Sequence, residues 1–232
     1  MWRAAAALAD DGGMERRDGG RRGLLVDFGG VLTSDLFASL EAFCVRRGLR
    51  RTAVLDLMAG DPAGRALFHD VETGAIGQPA FDAGLAALLG LPTGAAGAGD
   101  VPGITADLLA DLRLNRPLLD AVAAIRRVGV PVGVLSNSWG TRPYDPYAAA
   151  DLPSLADVVV ISHEVGLRKP DPAIYRLAAE RLGLPPAACA FVDDVAANLA
   201  PAEALGMAAV RHVETGRTIA ELRRLLVAPG TA

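Results

Sequence analysis

Six polar residues of this chain stand where a phosphoryl-transfer site would need them. Three motifs come directly after apolar runs of strand length, and a lysine lies in the loop before a later helix. Carboxylates from two strand ends can share a hard cation such as Mg²⁺, while a hydroxyl, an amide and an ammonium group can bind phosphate oxygens. The residues are Asp27, Ser136, Asn137, Lys169, Asp193 and Asp194.

Lys169 stands out by composition. It is the only lysine in a chain that otherwise uses arginine for its positive charges. An ammonium group is a compact point charge, whereas a guanidinium is a planar fork, and a phosphate beside a carboxylate favours the former. We therefore interpret Lys169 as a functional residue.

The apolar runs around these motifs predict a parallel sheet. Each is short and continuously apolar, which is typical of strands buried on both faces, and helical patterns separate most of them. Alternation of this kind indicates a doubly wound α/β fold, in which ligands bind at the carboxyl ends of the strands. The runs lie at 23–28, 130–135, 157–161, 188–192 and 208–210.

An insertion separates the first two runs. It spans about eighty residues, much longer than a crossover of about ten to thirty, and it carries helical patterns of its own. We predict an α/β protein with a Rossmann-like parallel sheet flanked by helices and a helical cap inserted after the first strand. The core comprises 21–34 and 115–232, the cap comprises 35–114, and 1–20 form a disordered tail.

Two helix starts can be predicted from local sequence. Asp171 and Pro172 should begin the helix after Lys169, because aspartate caps a helix and proline suits its first turn. A capping box from Thr218 to Glu221 predicts the start of the last helix.

Composition limits the function classes. The 232 residues are 51% hydrophobic with a net charge of −4, which favours a soluble globular protein and excludes a general attraction to nucleic acid. The apolar run at 4–9 is too short for a signal peptide or a membrane span, so we expect a cytoplasmic protein whose start is Met1 or Met14. Cys44 and Cys189 imply no disulfide framework or metal motif. The oligomeric state is open, with a dimer among the alternatives.

Taken together, the motifs resemble the haloacid dehalogenase superfamily of hydrolases. Within it, the stretches 193–199 and 204–207 are similar to the phosphatase domain of soluble epoxide hydrolases and to related bacterial sugar-phosphate phosphatases. The segment 72–76 also resembles the cap of that branch. The motifs carrying the resemblance are 27–32 (DFGGVL), 135–137 (LSN), 169–172 (KPDP) and 191–194 (FVDD).

The resemblance implies a role for each matching residue. Asp27 would be the nucleophile that forms an aspartyl phosphate, and Mg²⁺ would bind to Asp27, the carbonyl of Gly29 and Asp194. Asp193 would act on the metal site indirectly, through a water or through Lys169, and Asn198 would brace the metal loop. Ser136 and Asn137 would bind the phosphoryl oxygens, and Lys169 would neutralise the nucleophile and the transferring group. The substrate would be a small phosphorylated metabolite.

Gly29 departs from the family pattern. Most phosphatases of the superfamily have a second aspartate at this position, which protonates the leaving oxygen and later activates water. General acid–base catalysis contributes about 10²- to 10⁴-fold, so the missing acid should affect poorly acidic leaving groups most. Asp35 is one candidate replacement. The departure also argues against a phosphomutase.

Two other functions stay open at this point. One is a metal-independent dehalogenase that attacks carbon through Asp27, although the acidic pair Asp193-Asp194 argues against it. The other is a catalytically weak module that binds a phosphate ligand or a partner. Trp139, Arg142 and Tyr144 follow the second motif, where they either border the pocket or only pack the loop.

Overall fold

A five-stranded parallel sheet forms the centre of the molecule. The computed structural model describes residues 23–92 and 103–227. In the sheet, β1 lies in the middle, and the strand order is β3-β2-β1-β4-β5. The strands are β1 Gly23–Val26, β2 Val132–Ser136, β3 Val158–Ile161, β4 Cys189–Asp193 and β5 Ala208–Arg211. The predicted fold class is therefore confirmed, with strand bounds within a few residues of the apolar runs.

Alternate side chains of β1 supply the two sides of the core. Leu24 and Val26 pack with helices α6 and α11 on one face, whereas Leu25 packs with α9 and α10 on the other. All three side chains are fully buried. This explains why the strand shows no polar alternation in sequence, because both of its faces are covered. The helices on the sheet are α6 Arg116–Arg127, α9 Pro172–Arg181, α10 Ala196–Ala204 and α11 Thr215–Leu226, with short α7 Leu152–Leu155 and α8 Ser162–Val165 between them.

The segment 35–114, predicted to form the cap and called here the cap segment, supplies most of a second hydrophobic cluster, to which Trp139 also belongs. Leu40, Phe43, Phe68, Phe81 and Leu85 are buried there, and helical segments with these residues on one side surround the cluster. Its helices are α1 Leu36–Arg46, α2 Ala53–Ala59, α3 Pro62–Glu72, α4 Gln78–Leu88 and α5 Ile104–Leu108.

The two ends of the cap segment run side by side. Thr33 forms an antiparallel bridge with Leu114, and the amide of Ser34 donates to the carbonyl of Arg113 at 2.7 Å. The chain therefore leaves and re-enters the core at one place.

The last helix begins earlier than its sequence predicted. Helix α11 starts at Thr215, and the carboxylate of Glu214 caps it by accepting from the amides of Gly216 and Arg217. The predicted capping box was wrong, because Thr218 lies within the first turn and Glu221 pairs with Arg224 instead. The helix after Lys169 begins as predicted, with Asp171 accepting from the amide of Ala173.

Both cysteines are buried, and the Cys189 thiol donates to the carbonyl of Pro185. The predicted tail at 1–20 lies outside the described residues. In the described part of the chain, the helices are too short or too polar to cross a membrane.

Candidate active site

Asp27 occupies the turn that follows the central strand. Its amide donates to the carbonyl of Val192, and its Oδ1 accepts from the amide of Phe28 at 2.7 Å. The next residues form a single wide helical turn, Phe28–Leu32. Gly30 has a φ of +77° within this turn, and a Cβ atom there would overlap the Asp194 carboxylate. Only glycine therefore allows the turn to lie this close to Asp194, which follows β4.

Lys169 joins the carboxylates of two strand ends. Its Nζ lies 2.7 Å from Asp27 Oδ1 and 2.7 Å from Asp193 Oδ2. The lysine is 1% exposed, and Asp193 is fully buried. A buried cation of this kind is stable only when it is paired, and here it has two partners.

Burial and the neighbouring charges together shift the pKa values of this cluster. Burial raises the pKa of Asp27 above its ordinary value, and the positive charge of Lys169 opposes that rise. Burial alone would lower the pKa of Lys169, but Asp27 and Asp193 together raise it. Lys169 consequently stays protonated across the physiological range, and the cluster retains one fixed positive charge.

Asp193 accepts hydrogen bonds through both of its carboxylate oxygens. Its Oδ1 accepts from the amide of Val195 at 2.7 Å and from Asn198 Nδ2 at 3.1 Å. Its Oδ2 accepts from Lys169 and again from Asn198. Asn198 therefore lies where it braces the loop after β4, and Asp193 lies behind the site rather than at its surface.

Asp194 joins Asp27 and Asp193 in a potential cation site. One oxygen each from Asp27, Asp193 and Asp194 lie within 4.8 Å of one another. Asp194 is partly exposed; burial, followed by the charge of Asp193, raises its pKa to about 6. Three carboxylates beside one ammonium leave an excess of negative charge, and hard oxygen ligands of this kind suit Mg²⁺. The residues present thus fit a divalent metal.

Ser136 has a partner that sequence reasoning missed. Its hydroxyl lies 3.0 Å from the hydroxyl of Tyr147 and donates to the carbonyl of Asn137 at 3.2 Å. The Tyr147 ring packs against Phe28 with centroids 4.7 Å apart. Tyr147 lies in the long loop after β2, where no periodic pattern indicates which side chain turns inward.

The side chain of Asn137 holds the backbone of Lys169. Asn137 Oδ1 accepts from the Lys169 amide at 2.8 Å, and its Nδ2 donates to the Lys169 carbonyl at 3.0 Å. Both ends of the amide group are therefore used by the protein. This geometry positions the lysine and leaves Asn137 less free to bind a substrate than Ser136.

Glu72 reaches this network from the end of cap helix α3. Its carboxylate accepts from Trp139 Nε1 at 3.2 Å and from Asn137 Nδ2 at 3.3 Å, and Arg168 Nε lies 2.6 Å away in an ion pair. Burial raises the pKa of Glu72, and Arg168 opposes the rise. The sequence motif at 72–76 does not by itself indicate these contacts.

The family model of haloacid dehalogenase-like hydrolases matches residues 22–206. This range includes the aspartates, Ser136 and Lys169 described above. The chain belongs to the haloacid dehalogenase-like hydrolases. The predicted family is thereby confirmed, and the chain is a hydrolase of this family.

Several curated relatives are similar to this hydrolase over part of their length. A phosphatase of Mycobacterium tuberculosis is 38% identical over 104 residues, which cover 44% of this chain and 46% of the relative. Bifunctional epoxide hydrolase 2 of Rattus norvegicus is 29% identical over 126 residues, which cover 53% of this chain and 23% of that protein. The chain thus spans about a quarter of the epoxide hydrolase.

Solved structures show the same fold. A HAD family enzyme from Bacteroides thetaiotaomicron, crystallised with magnesium and inorganic phosphate, has a TM-score of 0.60 and 21% identity. The match covers 85% of this hydrolase and 96% of that enzyme. A predicted HAD-like hydrolase from Porphyromonas gingivalis has a TM-score of 0.67 and 23% identity, covering 90% and 100% of the two chains.

Gly29 of this hydrolase is not required by backbone conformation. Its φ of −69° and ψ of 126° suit any residue. A Cβ atom there would meet only Leu36 Cδ2, at an ordinary 3.6 Å. Asp35, the proposed replacement acid, instead caps α1 by accepting from the amides of Phe37 and Ala38. The missing carboxylate is therefore a chemical feature of the site and has no steric cause.

A cavity of about 270 Å³ opens above the aspartates. Cap residues and core residues both line it, and Trp139 is among the latter, whereas Arg142 is not. A larger open depression near Arg126 and Pro131 lies at the amino end of β2, away from the polar strand ends. The cavity at the carboxyl ends is lined by Asp27, Gly29, Leu36, Phe37, Met58, Glu72, Asn137, Trp139, Arg168, Lys169, Pro170, Asp194, Val195, Ala197 and Asn198.

Proposed function

We propose that this hydrolase is a Mg²⁺-dependent phosphatase of small organic phosphate monoesters and that Asp27 is its nucleophile. The observation that carries the proposal is the position of Lys169, which is buried between Asp27 and Asp193 beside the partly exposed Asp194. A nucleophilic carboxylate, a fixed cation and a free carboxylate for a metal are the parts that phosphoryl transfer needs. The phosphatase relative supports the same activity.

Asp27 would attack phosphorus with the carboxylate oxygen that Lys169 does not bind. A bond forms between this oxygen and phosphorus, the ester P–O bond breaks, and its electron pair leaves with the alcohol oxygen. Water then attacks the aspartyl phosphate, releases inorganic phosphate and restores Asp27. Asp27, the Gly29 carbonyl and Asp194 would hold Mg²⁺, which would supply positive charge to the phosphoryl oxygens.

The surrounding residues would hold these groups in place. Lys169 would stabilise the charge on the transferring group, and the Ser136 hydroxyl would donate to a phosphoryl oxygen. Asp193 and Asn198 would orient Lys169 and the loop that carries Asp194. Asn137 would act mainly through the Lys169 backbone that it binds.

We further propose that 35–114 form the cap of this enzyme and that 21–34 with 115–232 form its hydrolase core. The cap would cover a small phosphorylated metabolite and exclude water from the site. Glu72 and Gln78 support this assignment, because both extend from the cap to the loop after β2: Glu72 accepts from Trp139, and Gln78 donates to the carbonyl of Tyr144. We also propose that the chemistry requires neither a cytoplasmic location nor a dimer.

The test is turnover of a phosphorylated-metabolite panel with and without Mg²⁺. We expect metal-dependent release of inorganic phosphate from at least one member and a mass increase of one phosphoryl group on Asp27 during turnover. Turnover of haloacids without metal would instead indicate a dehalogenase. Binding of phosphate esters without release, even for acyl and aryl phosphates, would indicate a binding module.

A further inference from the structure

Most of the cap-segment residues that line the cavity are apolar, and they are called here the apolar wall. In the described part of the cap, the residues that line the cavity are Leu36 and Phe37 from α1, Met58 from α2 and Glu72 from α3. Trp139 of the core adds an indole ring. Phe37 keeps 37% of its surface exposed although it is a large hydrophobic residue. A substrate group at this wall would therefore contact a thioether, aromatic rings and an aliphatic side chain.

The one carboxylate of that wall is already bound. Glu72 accepts from Trp139 and Asn137 and pairs with Arg168, and it is 6% exposed. Consequently, the cap residues that the structure places at the cavity offer no free polar side chain for a sugar hydroxyl. A polyol bound there would lose hydrogen bonds to water without replacing them, which weakens its binding.

The cations of the cavity are also paired. Arg168 lies against Glu72, and Lys169 lies between Asp27 and Asp193. Among the described residues that line the cavity, no other side chain is cationic. Each cation thus has a carboxylate partner in the protein, with which a second phosphate or a carboxylate on the substrate would have to compete.

Gly29 independently restricts the leaving group. Without a carboxylate at this position, the departing oxygen carries developing negative charge, and its own acidity controls the barrier. An aryl oxygen tolerates this charge far better than an alkyl oxygen. The apolar wall and the missing acid therefore select the same kind of molecule.

Building on the proposed phosphatase function, we propose that the substrate is the monophosphate of a compact aromatic hydroxyl compound. Phe37 and Met58 are its specificity-determining residues and contact the ring. The cavity of about 270 Å³ lies below the roughly 300 Å³ at which pockets for drug-sized ligands begin, and this volume suits a single small ring system.

The first experiment compares phenyl phosphate, cyclohexyl phosphate and a hexose 6-phosphate. Cyclohexyl phosphate is apolar but has a poor leaving group, so it separates apolar recognition from leaving-group acidity. We expect kcat/KM to fall in the order in which these substrates are named, with KM similar for the two ring compounds. A preference for the hexose phosphate would overturn the inference. Absence of turnover on every substrate would overturn the phosphatase proposal itself.

The second experiment uses Met58→Gln and Phe37→Ser, with Val45→Ser as the matched control. Val45 lies on the same helix as Phe37, is 62% exposed and does not line the cavity. In each pocket variant, the ratio of kcat/KM for phenyl phosphate to that for acetyl phosphate should fall about 10-fold, because an apolar contact worth about 1.4 kcal/mol is lost. The control should keep the wild-type ratio. Equal losses on both substrates would overturn the inference.

A binding measurement makes the inference independent of turnover. Phenylphosphonate is not hydrolysed, and calorimetry in the presence of Mg²⁺ should give it at least a 10-fold lower Kd than methylphosphonate. Met58→Gln should reduce this difference. Tight phenylphosphonate binding in a protein without turnover would support the aromatic site while rejecting the phosphatase proposal. Equal affinities for the two phosphonates in the wild type would overturn the inference.

Discussion

The hydroxyl groups of Tyr147 and Ser136 lie 3.0 Å apart in the interior of the protein. The Ser136 hydroxyl can donate to the carbonyl of Asn137, and Tyr147 is then the donor of the pair. Burial raises the pKa of Tyr147 to about 12, so the donor keeps its proton over the whole working range. When Ser136 turns its proton to a phosphoryl oxygen, Tyr147 can still donate to the Ser136 oxygen and fix its direction.

We predict that Tyr147→Phe weakens phosphate binding about 3- to 10-fold, because one buried hydrogen bond contributes about 0.5–1.5 kcal/mol. The ring contact with Phe28 is kept in this variant, so the fold should be unchanged. Product inhibition by inorganic phosphate measures the effect. In a Ser136→Ala background, Tyr147→Phe should have no further effect, and additive losses would show that the tyrosine does not act through Ser136.

For Asp27→Asn, we expect loss of phosphatase activity with retention of the fold. The amide is a poor nucleophile and a weaker metal ligand than the carboxylate. Its shape is nearly the same, and the oxygen that accepts from the Phe28 amide is kept. Steady-state turnover and circular dichroism together test this prediction, and turnover at the wild-type rate would reject Asp27 as the nucleophile.

Replacing Lys169 with arginine should remove most of the activity, by about 100-fold or more, although the charge is conserved. The ammonium group reaches two carboxylate oxygens at 2.7 Å each inside a closed space, and a longer planar head does not fit the same point. Comparing kcat and KM distinguishes this from a surface role. Near-normal kinetics would mean that the position needs only positive charge.

Gly29→Asp should raise the rate for alkyl phosphates while affecting aryl phosphates little. The new side chain supplies the missing acid, and the backbone there is of a kind that any residue adopts, with only Leu36 near the added Cβ. The neighbouring Gly30→Ala is the matched control. It should destabilise the turn, because its φ is +77° and its Cβ would overlap Asp194. An unchanged ratio of alkyl to aryl rates in folded Gly29→Asp would show that another group already supplies the proton.

Asp194→Asn should stabilise the metal-free protein above pH 6. In the folded chain the pKa of Asp194 is about 6 instead of 3.8, so the native carboxyl binds more protons than the unfolded one between these values. Stability is therefore lost as pH rises towards about 6. The shift corresponds to about 3 kcal/mol, and solvent screening at this partly exposed group reduces the expected gain to about 1 kcal/mol.

Thermal unfolding without metal at about pH 7.5 and about pH 4.5 checks this prediction, with a difference between variant and wild type that shrinks at the lower pH. Added Mg²⁺ should raise the Tm of the wild type only. A wild type that is more stable than the variant at the higher pH without metal would contradict the sign.

The sheet and its polar ends were predictable because they depend on local signals. Apolar runs identify strands that are buried on both faces, and parallel strands bring their carboxyl ends to one edge. This is why Asp27, Lys169 and Asp193 meet although more than a hundred residues separate the first two. Of the neighbouring aspartates, Asp193 is buried and hydrogen-bonded through both oxygens, whereas Asp194 is partly exposed.

The partners of these residues were not predictable in the same way. Tyr147 lies in an irregular loop, and Glu72 lies at a helix end in the insertion, so neither has a periodic signal that places it. Tertiary packing buries both. The same reason explains the error at α11, where Glu214 outside the helix caps it in place of Thr218, which lies inside the first turn.

The pairing of Thr33 with Leu114 has a consequence for how the chain tolerates change. The residues that precede and follow the segment 35–114 are already adjacent in the core. The core therefore holds the two ends of this segment together, whatever the length of the chain between them. The entropy of such a closure grows only slowly with length, by about 0.6 kcal/mol for each doubling. Insertions or deletions within the segment would therefore alter what the cavity accepts while hardly changing the stability of the sheet. Substrate preference and fold are in this way free to evolve separately.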